Sequence, residues 1–82
     1  MRVLTSDVFA AAWLLTRGGR LVELLVDRSG GRSSGTFVLE GPDLLAAHET
    51  YSRGEAVANV KDIRDGVTTL RGRLARALRQ AA

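Results

Sequence analysis

Residues 27–40 read DRSGGRSSGTFVLE, and two folds compete for them. Gly30 to Thr36, GGRSSGT, has the glycine spacing of a nucleotide-binding GxxxxGK[ST] loop, but no lysine follows Gly35. A phosphate-gripping loop must also feed a helix whose N-terminus faces the phosphates. Here Phe37, Val38 and Leu39 continue as an apolar, strand-forming run instead. The stretch therefore reads as the tip of an antiparallel hairpin, with glycines for positive φ and serines for local hydrogen bonds. Arg28, Arg32, Ser33 and Ser34 in that tip also offer the donor types that usually contact phosphate oxygens.

Working outward, RLVELLVDR (residues 20–28) is rich in strand formers and alternates in part through Val22, Leu24 and Val26, which makes it the partner of TFVLE (36–40). Ahead of it, TSDVFAAAWLLTRGG (5–19) sets three capping residues before an apolar series. Thr5 or Ser6 is the expected cap, and Asp7 complements the helix N-terminus. Val8, Phe9, Ala12, Trp13 and Leu15 cover so much of the circumference that this helix, Phe9 and Trp13 included, is expected in the core. Gly18 or Gly19 ends it.

On the other side, GPDLLAAHETYSRG (41–54) places Pro42 at the first helical position, repeats Leu44, Ala47, His48 and Tyr51 at helical spacing, and stops at Gly54. After the connector EAVA, Asn59 caps a third helix. Its residues Val60, Ile63, Val67, Leu70, Leu74 and Ala77 alternate steps of three and four, with Leu78 widening the edge. Gly66 and Gly72 interrupt this helix at a cost of about 1 kcal/mol each against alanine. Their presence points to a bend or to the close approach of another backbone.

These elements give an α+β class and a single domain over residues 1–82: helix, antiparallel hairpin, short helix, long amphipathic helix. The hairpin is expected to pack on the first and third helices. The composition, 45% apolar and 26% charged, is that of a folded domain. A chain of this size buries only about 60% of the surface its unfolded form exposes, so a homo-oligomer is expected. Two hairpins would join into one sheet, or two final helices would pair along Val60, Ile63, Val67, Leu70 and Leu74.

The sequence has no cysteine, which excludes a disulfide framework, a thiolate metal site and a cysteine nucleophile. The longest apolar run, Val8 to Leu15, is eight residues, where a spanning helix needs about twenty. It also lacks the form of a signal peptide, so no membrane partner and a cytoplasmic location are expected. His48 is the only imidazole and reads as a packed structural side chain. No nucleophile, base and acid recur together, and no carboxylate or imidazole spacing suits a metal. The expectation is a protein that is not an enzyme, with no metal and no cofactor.

Charge carries the functional signal. Residues 1–30 hold four basic and three acidic side chains (+1), residues 31–58 two and four (−2), and residues 59–82 six and two (+4). Lys61, Arg64, Arg71, Arg73, Arg76 and Arg79 sit on the flanks and back of the apolar seam, with Arg28 and Arg32 as a second basic site at the hairpin tip. Such a helix buries one side and presents cations to phosphates on the other. The plainer reading is a solvated face whose cations favour the helix C-terminus and whose stems cover apolar neighbours. No aromatic residues interleave with the arginines, which argues against a platform for stacking single-stranded bases.

Several stretches, TSDVFAAAWLLTRGGRLVEL, TFVLEG, YSRGEAVANVKD and LRGRLARAL, together resemble a family of small prokaryotic and phage proteins classed as a domain of unknown function. The resemblance spans most of the chain and rests on packing motifs. It implies the fold and assigns no activity or functional residue. Two functions follow from the sequence. The first is a small non-enzymatic protein that binds DNA or RNA, or acts as an accessory to such binding, through the basic final helix. The alternative is an oligomerising subunit or adaptor that docks on a larger protein partner without touching nucleic acid.

Overall fold

The computed structural model describes residues 1–27 and 34–80. The elements run β1 (Arg2–Thr5), α1 (Val8–Thr16), β2 (Arg20–Asp27), β3 (Ser34–Glu40), α2 (Leu44–Ser52) and α3 (Val60–Gln80). The three strands form one antiparallel sheet in the order β1-β3-β2. The class is α+β, and the hairpin of β2 and β3 is present with α1 and α3 packed against it. Because β3 runs on as a strand from Ser34, the quoted stretch feeds no helix. Arg28 and Arg32, and with them the hairpin tip as a phosphate contact, lie outside the described residues.

The sequence reading lacked β1. Arg2 to Thr5 pair with Glu40 to Phe37, more than thirty residues away, and so place β3 in the middle of the sheet. This accounts for the unbroken Phe37, Val38 and Leu39. A central strand has a neighbouring strand along each edge, and all three are buried, Phe37 and Leu39 within the core cluster. A row of charges closes one end of the sheet: Arg2 and Arg20 both face Glu40 in register, at 2.9 and 3.5 Å. The hydrogen bond from Arg2, with the charge of Arg2 and the hydrogen bond and charge of Arg20, outweighs desolvation and holds the Glu40 carboxyl below the usual range.

Alternation in β2 is interrupted by a register shift between Leu21 and Glu23. Leu21 and Leu24 pack against the core and Val26 is half-buried, whereas Val22, read in partial alternation with Leu24 and Val26, is exposed. An extra residue in one strand reverses the facing of its neighbours, and periodicity alone does not reveal where it sits.

The first helix is capped by Asp7, not by Thr5 or Ser6. Its carboxylate accepts hydrogen bonds from the backbone N–H groups of Phe9 and Ala10, at 2.9 and 3.3 Å. Thr5 is already in β1, and its hydroxyl accepts from the Asp7 N–H. Ala10 to Leu14 are all buried, and Gly18, at φ 90°, follows the helix end. Trp13 is core as expected, with its indole N–H donating to the Ala47 carbonyl and so tying α1 to α2.

Pro42 does not open α2. Asp43 takes the left-handed conformation at φ 57°, which an aspartate tolerates better than most residues, and the helix starts only at Leu44. Leu44 is buried, and Ala47, His48 and Tyr51 are half-buried along the expected face. The cap of α3 is as read: the Asn59 side-chain oxygen accepts from the N–H groups of Lys61 and Asp62.

The core joins α1, the inner sheet face and the middle of α3, with Leu14, Phe37, Leu39, Leu44 and Leu70 enclosed. Close contact between α1 and α3 depends on Gly66. A Cβ there would stand 3.1 Å from the Cβ of buried Ala12. Of the two interrupting glycines, this one is accounted for by a neighbouring backbone. At Gly72 a Cβ would meet nothing within 4 Å.

Candidate binding surfaces on the final helix

Every cation proposed on α3 is exposed: Lys61, Arg64, Arg71, Arg73, Arg76 and Arg79. They do not form one patch. Lys61 is bound to Asp65 at 3.1 Å, the separation of one helical turn, and Arg64 reaches the same carboxylate at 4.0 Å. Arg71 lies on the α1 side, with its guanidinium carbon 5.9 Å from the centre of the Phe9 ring. Arg73 and Arg76 lie on the sheet side, around a shallow hollow with Leu24, Ala77 and Gln80. No ion pair involves Arg71, Arg73, Arg76 or Arg79 among the described residues.

Between these flanks runs a low crest. Thr68, Gly72, Ala75 and Arg79 recur at steps of four, three and four on the exposed side of the helix, so only small side chains stand between Arg71 and Arg76 until the last turn.

The seam residues fall into two groups. Val67 and Leu70 are buried in the chain's own core, with Ile63 and Leu74 half-buried against it. An interface between copies through Val67 and Leu70 would therefore have to open that core. Val60, by contrast, is 83% exposed. Phe9, expected inside, is 49% exposed and stands beside it. No wheel would have found this, because α1 is apolar nearly all round and shows no outward face in sequence.

Tyr51 links α2 to the cap of α1: its hydroxyl donates to the second carboxylate oxygen of Asp7 at 3.1 Å. Burial first, and then the hydrogen bond and charge of Asp7, raise the phenol above its ordinary pKa. A group whose folded pKa is raised contributes stability that is complete below the unfolded value and lost as pH rises through the folded one. Tyr51 is the only tyrosine, so an absorbance titration near 295 nm reads it alone. Its midpoint is expected above that of the unfolded chain. Asp7→Asn should lower the midpoint only part of the way, since burial remains. A midpoint equal to that of the unfolded chain would contradict the contact.

No polar or charged side chain is buried among the described residues, and no three carboxylate or imidazole groups converge there. No described helix is long and apolar enough to cross a membrane. Compared with known proteins, the chain matches no family model, no curated protein and no solved structure. None of these comparisons supports the expected resemblance to a family of small prokaryotic and phage proteins.

Proposed function

We propose that this chain is a small non-enzymatic nucleic-acid-binding protein that grips phosphates with the second half of α3. The observation that carries the reading is the set Arg71, Arg73, Arg76 and Arg79: four exposed guanidinium groups in nine residues, on both flanks and the end of a low crest, with no ion pair among the described residues. An unpaired arginine is ready to exchange a condensed counterion for a phosphate. A helix with small residues on its crest and cations on either side suits the floor and walls of a duplex groove, where the phosphates of two strands lie apart. The split between the flanks thus favours a duplex over a flat anionic surface.

The test is binding to a mixed-sequence DNA duplex and an RNA duplex over a series of salt concentrations. Affinity should fall steeply with salt, at about 0.9 in the logarithmic slope for each phosphate neutralised in B-form DNA. Replacing Arg73, Arg76 and Arg79 together with glutamine should flatten the DNA slope by roughly 2.7 and weaken low-salt binding at least a hundredfold, at about tenfold per 1.4 kcal/mol lost. None of the three is buried, so the melting temperature should hardly move. Absence of binding at low salt, or a slope unchanged by the triple substitution, would defeat the proposal.

A further inference from the structure

We propose that the hollow around Phe9 is a docking site for an acidic amphipathic helix of a partner protein. Two adjoining depressions meet at Phe9, Val60 and Ile63. One, of about 390 Å³, extends toward Trp13, Tyr51 and Ala56. The other, of about 310 Å³, extends along α3 between Arg64 and Arg71. Their shared ridge leaves apolar surface in water, with Phe9 half-exposed and Val60 almost wholly so. An aromatic ring left in water beside a concave apolar floor is the usual form of an interface anchor.

Charge selects the occupant. The two charged side chains bordering the hollow along α3 are both arginines: Arg71 has no ion pair among the described residues, and Arg64 reaches only Asp65, at 4.0 Å. The nearby carboxylate Asp7 is already engaged by the Tyr51 hydroxyl and two α1 amides. The unmet charge is therefore positive. Arg64 and Arg71 stand seven residues, about 10.5 Å, apart along one helix, which is two turns of a helix lying beside it. A partner helix with apolar residues at steps of three and four would fill the two depressions, and acids two turns apart would meet the arginines. Nucleic acid fits poorly because the floor is apolar. The final helix of a second copy would set arginine against arginine.

Arg71 is shared with the proposed phosphate contacts, but Arg73, Arg76 and Arg79 lie outside the hollow, so variants at those three positions test phosphate binding apart from this site. The test is selection from a displayed library of random peptides of about 15 residues, long enough to form a helix on binding, against the whole protein. Enriched sequences should carry acids and apolar residues at helical spacing. Their affinity should fall about tenfold or more with Phe9→Ser or Val60→Asp and several-fold with Arg71→Gln, as for anchor positions. It should not change with Arg79→Gln. Val60→Asp adds an acid to the first turn of α3, where the helix dipole favours it, so the fold is retained. No enrichment, enrichment of basic or wholly polar peptides, or indifference to both Phe9→Ser and Val60→Asp would overturn the proposal. So would a dimer, seen by sedimentation, that Val60→Asp disperses, since a second copy would then be the occupant.

Discussion

Leu70→Asp is expected to abolish the cooperative unfolding transition of this chain. Leu70 is 1% exposed and belongs to the cluster that joins α3 to α1 and β3. Removing a buried leucine side chain costs 2–5 kcal/mol, with the exact value set by how far the site collapses. The carboxylate adds the desolvation of a charge with no buried polar partner among the described residues. Together these exceed about 5 kcal/mol, which is comparable to the whole stability expected of a domain this small. A thermal melt followed by circular dichroism should show no transition, while Val60→Asp, ten residues earlier on the same seam, should melt as the parent does. The contrast separates the two ends of a pattern that looks uniform in sequence. If Leu70→Asp folds and melts cooperatively, the core assigned to α3 is wrong.

Local signals in the sequence were sufficient for much of this architecture. The hairpin followed from glycines flanked by strand formers, α3 from its three-and-four spacing, and its start from Asn59; Gly66 and Gly72 together pointed to a bend or a close backbone approach, and only Gly66 has such an approach. What was missed depends on contacts between distant parts of the chain. β1 is four residues beside a cluster of capping side chains, and only its pairing with Glu40 to Phe37 makes it a strand. Val22 is exposed although it alternates with Leu24 and Val26, because a bulge shifts the facing of β2. Phe9 was misplaced because an all-apolar helix has no readable outer side. The arginines were legible as residue types. Their division between an α1 flank and a sheet flank was not, because it depends on which sides of α3 the rest of the chain covers.

The two glycines of α3 provide the second large effect, because they should respond to a side chain with opposite signs. Both lie in a helix interior, where alanine is preferred by about 1 kcal/mol. At Gly66 that gain is overridden. Its Cβ would stand 3.1 Å from the Ala12 Cβ and 3.5 Å from the Ala12 Cα, atoms of a fully buried residue that cannot rotate away. Gly66→Val adds two further methyl groups to that contact and must push α1 from α3, at an overpacking cost of about 3 kcal/mol. For a domain of this size each kcal/mol moves the melting temperature by roughly 4–8 °C, so a fall of more than 10 °C is expected. Gly72→Ala meets nothing within 4 Å and should raise the melting temperature by about 5 °C through helix propensity alone. Equal stabilisation by the two substitutions would show that α1 and α3 do not approach at Gly66. A Gly72→Ala chain that is more stable yet binds duplex less well would mean that the crest of α3 is kept low for a reason the fold does not supply.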